Sequence, residues 1–450
     1  RVWWRGELAD MSAVLEVSDD GKTFREVTRI PSSTAHAQVV TFPETTARHF
    51  RLSYPQPSVI YEYSLSTMNR VMLAPEKAAF SSPYDLRNFK TPECKGIEAP
   101  VDLTSFVKDG RLEWDAPEGK WVIYRFGASL TGKQNHPAPP EATGLEVDKL
   151  DAAAVSRFFD AYVGRLAQEC GIDPKSDPAK RTGLVSALVD SYEAGGQNWG
   201  TGFAEAFEAR CGYSVLGAFL PVLTGRVVGS VERSERFLAD YRRVIGELFA
   251  ENYADCFVDC CRRAGLLAAI ECYGDEPACD LRYGRNVPLP MCEFWLHPGQ
   301  VFEYDADDIP MAASLAHMWG RRFVGAEAFT TMPSEAGWRQ APFHYKAQGD
   351  VCYALGVNRM LSHRFAPQPW ANPTRWPGMT MGPWGTHFER TETWWRQSAD
   401  WLKYQARCQF MLSAGHPAND LLVHTGDEAP NDGSPEVTPE GWSWDICGMH

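Results

Sequence analysis

From the N-terminus to about residue 118, apolar and polar positions alternate with the period of half-buried strands. Residues 13–18 (AVLEVS) alternate cleanly, and Asp19-Asp20-Gly21-Lys22 turns the chain back into 23–27. Residues 38–42 and 49–54 (HFRLSY) repeat the pattern around a turn at 43–46, and 59–68 continue it. Residues 101–117 predict a closing strand pair about Asp109-Gly110. From Gly119 the pattern changes. Residues 121–128 (WVIYRFGA) read as a buried strand, followed by a long Pro- and Gly-rich loop, 129–145. A loop of that length in a compact domain is usually functional or disordered. Residues 151–170 predict an amphipathic helix capped by Asp151, with Val155, Phe158, Phe159, Tyr162 and Leu166 on one face.

Strands and helices then alternate. Strands are expected at 184–190, 266–271, 289–293, 323–326 and 359–363, with a further one from 420. Helices are expected at 203–211, 232–264, 309–319, 343–355 and 391–413, three of them stopped by Gly265, Gly320 and Gly356. Repeated βα units predict a parallel sheet, here a (β/α)8 barrel. Fewer than eight barrel strands are visible, so the barrel is expected to be incomplete, its early strands preceding Arg1. The expected organisation is an all-β sandwich module over 1–118, a barrel portion over 119–415, and the start of a C-terminal α/β domain over 416–450. The chain opens on Arg1 and ends without a stop signal, which suggests an internal fragment.

Composition narrows the partners. The 450 residues carry a net charge of −14 and no basic run, which argues against nucleic acid or an anionic membrane surface. No apolar run is long enough to span a bilayer. The 16 tryptophans suit either packed cores or the apolar faces of sugar rings. The twelve cysteines show no CxxC and no zinc spacing, so buried free thiols are expected.

Candidate chemistry lies at the strand ends. Four runs, 184–193, 266–271, 289–293 and 323–327, each close on a glutamate: Glu193, Glu271, Glu293 and Glu327. A carboxylate at the C-terminal tip of a barrel strand faces the side where such barrels do chemistry. Glycosidic hydrolysis directly needs two carboxyl groups. Glu193, near Trp199 and two glycines, is read as a desolvated general acid, with an ordinary strand-end ion pair as the alternative. Glu327, among small neighbours, is the candidate base or nucleophile. Glu271 and Glu293 are left to bind hydroxyls, hold a cation, or make structural bonds. His363 ends a strand and reaches the same face, or is a bonded core residue. Glu146, Asp148 and Lys149 close the long loop as hydroxyl ligands or as a solvated turn. There is no HExxH, GxSxG or phosphate loop.

Six ordered segments carry a family resemblance: 144–150 (GLEVDKL), 190–199 (DSYEAGGQNW), 271–274 (ECYG), 293–295 (EFW), 326–330 (AEAFT) and 356–363 (GVNRMLSH). In these the chain resembles the glycoside hydrolase family 106 α-L-rhamnosidases, from about Trp121 to the C-terminus. The resemblance implies a (β/α)8 catalytic domain, an inverting mechanism with Glu193 as acid and Glu327 as base, and calcium with Glu293 near it. It implies a glycan substrate met by Asp190, Trp199, Glu146, Asp148, Lys149, Glu271 and His363, and a periplasmic or secreted bacterial protein. An inverting pair would stand about 6.5–9.5 Å apart and a retaining pair about 5 Å. A retaining glycosidase of another specificity and a non-catalytic carbohydrate-binding barrel are the competing readings. The pairing of LEVSDDGKTFREV with TARHFRLSY resembles discoidin-like jelly-roll modules, which bind sugars or act as spacers.

Overall fold

The computed structural model describes residues 2–4, 13–30, 37–55, 60–80, 86, 89–98, 100–136, 138–274, 277–297, 308–337, 339–365, 368–376, 382, 384–433 and 440–449. The chain divides into two compact units. The first comprises residues 1–133, 195–246 and 275–277. Its strands β1 (Val2–Trp4), β2 (Ala13–Ser18), β3 (Arg25–Ile30), β4 (Ala37–Gln38), β5 (His49–Ser53) and β6 (Ile60–Tyr63) form two three-stranded antiparallel sheets. Their orders are β4-β1-β6 and β3-β2-β5. In β2 the alternation buries Ala13, Leu15 and Val17, while Glu16 on the opposite face pairs with Arg51 of β5 at 2.9 Å. The turn read at Asp19–Lys22 forms because Asp20 Oδ1 accepts from the amides of Lys22 and Thr23, each at 2.8 Å. A short hairpin, β7 (Val107–Lys108) and β8 (Arg111–Leu112), closes about Asp109-Gly110 with both turn residues at positive φ, the signature of a two-residue hairpin turn.

The run 121–128 is a correction. It is irregular and largely exposed, and its backbone joins no strand. A short apolar run does not by itself specify a strand. Here local contacts hold it: Trp121 Nε1 donates to Pro117 O, and the Trp114 ring meets the Trp121 ring edge-on.

The second unit comprises residues 134–194, 247–274 and 278–450. Five strands, β9 (Ser186–Val189), β10 (Leu267–Glu271), β11 (Leu289–Trp295), β12 (Gly325–Thr330) and β13 (Arg359–Ser362), lie side by side in chain order. Every neighbouring pair is parallel, and the sheet curls as half of a barrel. Its outer face buries Cys292, Phe294, Ala326, Ala328 and Phe329 against helices Asp308–Met318 and Pro342–Ala354. Its inner face buries Ala269, Leu289 and Met291, with Leu267, Phe323 and Leu361 packed on them. Gly325 makes room on that face: a Cβ there would stand 2.4 Å from Met291 Cγ.

Helix 151–170 forms with Asp151 as its cap, the carboxylate accepting from the amides of Ala153 and Ala154. Its buried face differs from the one read in the sequence. Val155 and Phe159 are buried, but Phe158, Tyr162 and Leu166 are exposed. A π-turn over Asp160–Gly164 adds a residue and rotates the following turn, so Gly164 and Ala167 face inward instead. The segment after 416 supplies β14 (Leu421–His424) and β15 (Trp444–Cys447), a parallel pair within the second unit. Asp445 ties β15 to helix Asp308–Met318 through His317, at 2.8 Å, and Ser314, at 3.2 Å. All twelve cysteines are free thiols. Among the described residues no helix is long and apolar enough to cross a membrane.

Candidate active site

Register decides which side chains meet. Residues paired across a parallel sheet project to the same face. Ile270 pairs with Val189, so the next residues, Glu271 and Asp190, stand level at the ends of β10 and β9. Glu271 pairs with Met291, and Glu293 lies two residues further along the same face of β11. Glu293 in turn pairs with Glu327 of β12. The four carboxylates therefore share the inner face, directly above the apolar layer around Met291.

The sequence pattern places each glutamate at a strand tip. Only Glu271 ends its strand. β11 and β12 continue to Trp295 and Thr330, so Glu293 and Glu327 sit inside the sheet. Glu193 lies four residues past the end of β9. Its side chain is exposed, not enclosed by aromatic rings as expected, and its Oε1 accepts from Ser191 Oγ at 2.9 Å.

Three of the carboxylates converge. One oxygen each of Asp190, Glu271 and Glu327 lie within 4.8 Å of one another. Burial, with the neighbouring Asp190 and Glu327, pushes the Glu271 carboxyl up to about 10. Burial also raises Glu327 to about 7; Asp190 and Glu193 add to the rise, while Thr330 and the Arg364 guanidinium oppose it. The Tyr273 hydroxyl donates to Glu271 Oε2 at 2.7 Å, and Thr330 Oγ1 donates to Glu327 Oε1. Glu271 Oε1 is buried and receives no donor; its neighbour Asp190 is also a carboxyl, so the two are bonded only when they share a proton. Burial and Arg364 hold His363 down at about 4, so its ring is neutral at physiological pH; the opposing pull of Asp190 places it beside this group.

Thr330 reaches Glu327 through a bulge. Three residues apart on a regular strand, the two would face opposite sides. Phe294 pairs with Ala328 but Trp295 pairs with Thr330, so Phe329 is the extra residue. Its φ of 68° is a conformation that bulky side chains rarely adopt. The ring is held in the outer core against Phe294 and Tyr345. Bulges beside active sites re-aim side chains in this way.

Glu293, the fourth carboxylate, is half-buried, the register neighbour of Glu327 but outside the converging trio. Lys149 is buried, not solvated; it pairs with Glu146, and its ammonium lies 5.7 Å from the Tyr192 ring centre and 5.6 Å from that of Tyr253. Asp148 accepts from the Leu150 amide at 2.9 Å. Trp199 belongs to the first unit, its ring 5.0 Å from Phe203. Tyr273, Thr330 and Arg364 do not stand out in the sequence. A glutamate with a tyrosine two residues on is the available signal for the first; the bulge hides the second.

The donor set fits a hard cation such as calcium, which prefers oxygen ligands. Three carboxylates converging with Glu271 buried, Glu327 half-buried and Asp190 exposed need compensating positive charge or a retained proton on the buried member. The orphaned Glu271 oxygen is aimed among acceptors, where only a cation or a shared proton satisfies it.

The family model of glycoside hydrolase 106, described as alpha-L-rhamnosidase, matches residues 6–449. A protein of Formosa agariphila described as "Putative beta-glucuronidase" is 38% identical over 376 residues, 81% of this chain and 31% of that protein. The solved structure of a rhamnosidase from Novosphingobium sp. PP1Y is similar with a TM-score of 0.81 at 30% identity, covering 99% of this chain and 43% of that one. The chain thus spans less than half the length of either relative.

Proposed function

The chain belongs to the glycoside hydrolase 106 family of α-L-rhamnosidases, and on that premise we propose that it carries the acid–base and cation-binding groups of a glycosidase acting on terminal α-L-rhamnosides. The observation that carries this reading is the convergence of Asp190, Glu271 and Glu327 on the inner face of a half-barrel, with Glu193 electrostatically coupled to Glu327. Glu327 is the general base. With no cation bound, burial lifts its carboxyl to about 7, above an exposed carboxylate. Glu193, exposed on the loop beyond β9, is the general acid that protonates the departing glycosidic oxygen. The two roles on opposite faces of the sugar invert the anomeric centre.

Asp190, Glu271 and Glu327 would hold calcium, with Glu293 behind them on β11. When bound, such an ion supplies a Lewis-acidic point for sugar hydroxyls and charge balance for the carboxylates. His363, neutral and beside Asp190, would bond a sugar hydroxyl, and Glu146, Asp148 and Lys149 are read as further hydroxyl ligands. The two three-stranded sheets of the first unit are a discoidin-like module, and the whole protein is exported.

The test is turnover of an aryl α-L-rhamnoside by the full-length protein, with and without chelator, followed by NMR of the first-formed anomer. Release of the inverted anomer, lost on chelation, is expected. Glu327→Gln should lower kcat about 10²–10⁴-fold on every leaving group. Glu193→Gln should spare substrates whose leaving group needs no proton. Retention of configuration, or full activity in Glu327→Gln, would refute the assignment. The buried guanidinium of Arg364 beside Glu327 favours one second reading, a sugar carboxylate in the site. An aryl β-D-glucuronide, matched to the relative's printed name, tests it: preferred turnover of that substrate would displace rhamnose.

A further inference from the structure

Two neutral hydroxyls grip the converging carboxylates by one oxygen each. Tyr273 is buried, and its hydroxyl donates to Glu271 Oε2 at 2.7 Å. Thr330 is buried as well and donates to Glu327 Oε1. Neither residue bears charge, and neither is a ligand, acid or base in the proposed reaction. For Glu271 the outcome is lopsided: Oε2 is engaged, while Oε1 is buried among acceptors with no donor. A carboxylate free to rotate about its last bond would share its two oxygens between the two positions. The phenol removes that freedom.

The second hydroxyl arrives by a route that the chain has to enforce. Thr330 reaches the face of Glu327 only because Phe329 is bulged out at φ 68° and anchored in the outer core. Strained backbone persists where the surrounding structure over-determines it. Here it delivers one hydroxyl to one carboxylate. Partners that orient ligands from behind are typically worth ten- to a hundred-fold in metal affinity.

We infer that Tyr273 and Thr330 are positioning residues, which turn the carboxylates of Glu271 and Glu327 so that one oxygen of each converges with Asp190 on a bound divalent cation. This rests on reading the trio as a cation site, and the experiment separates the two. Calcium affinity is measured by titration calorimetry on the full-length protein and on Tyr273→Phe, Thr330→Val, Thr330→Ser and Glu271→Gln, each checked for a native circular dichroism spectrum in chelator. Tyr273→Phe and Thr330→Val should each weaken binding about ten-fold. Thr330→Ser keeps the hydroxyl and should bind like the parent. Should Tyr273→Phe fail to fold, the valine and serine pair at 330 carries the test alone.

Parental affinity in both hydroxyl-less variants, alongside loss in Glu271→Gln, would overturn the positioning role and leave the cation site standing. A loss in Thr330→Ser equal to that in Thr330→Val would also overturn it, since packing and not the hydroxyl would then be responsible. A parent that binds no calcium, or a Glu271→Gln variant that binds as tightly as the parent, would remove the cation site and this inference with it.

Discussion

Glu271 is a carboxyl that the fold keeps neutral. Its ordinary value of 4.5 is raised to about 10 in the folded chain. Below pH 4.5 it is protonated folded or unfolded and contributes nothing to the pH dependence. Between 4.5 and about 10 the unfolded chain ionises it and the folded chain does not, so stability falls as pH rises through that window. In chelator, Glu271→Gln removes this penalty while still accepting from Tyr273. At pH 8 the variant should exceed the parent by roughly 1–4 kcal/mol, and at pH 4 the advantage should vanish. Urea denaturation at the two pH values reads this directly, and equal gains at both would contradict it. Residue types and spacing made Glu271, Glu293 and Glu327 legible as site candidates. Their environments were not legible, because burial depends on which strand lies beside which. Glu193 shows the limit: its aromatic neighbours in sequence do not enclose it in space.

At the scale of elements, the strands and most helices can be read from periodicity and glycine stops. Gly265, at φ 71°, ends the long helix as expected, and a Cβ there would stand 2.7 Å from Pro174 Cα. What the pattern misses are single-residue insertions. The π-turn at Asp160–Gly164 and the bulge at Phe329 each shift the phase of the residues beyond them, and neither has a compositional mark. Strand packing on the inner face depends on Gly325. Gly325→Ala should destabilise by about 1–3 kcal/mol, since Met291 must leave its place under the carboxylates. In a Met291→Ala background the clash is gone, and the same glycine substitution should cost much less. Chemical denaturation of the double-mutant cycle decides; an equal cost in both backgrounds would show that the clash is not the cause. At the other end of the unit, Asp151→Ala removes both side-chain bonds to the helix N-terminus and should cost about 1 kcal/mol by the same measurement.

For the molecule as a whole, alternation and then βα repetition point to a β-rich first part and a parallel sheet after it, and both are present. They do not show that the first unit takes in residues 195–246, because unit membership is a matter of long-range contacts. Nor do they show that β15 is bound to helix Asp308–Met318 by Asp445. If the carboxylate trio holds calcium, binding couples to folding. Calcium at about a hundred times its dissociation constant should stabilise the protein by about 2.7 kcal/mol, seen as a rise in melting temperature that chelator reverses. No shift at saturating calcium would count against the ion. The bulge in β12 also has a consequence for the gene. Ala328 and Phe329 both enter the outer core, so one residue there is surplus to plain alternation. Loss of the Ala328 codon would restore that alternation and leave Glu327, phenylalanine and threonine facing as they do now. A missense change at codon 329 to a β-branched residue keeps the length and forces a conformation such residues resist. At this one place in the reading frame, an in-frame deletion should be milder than a substitution.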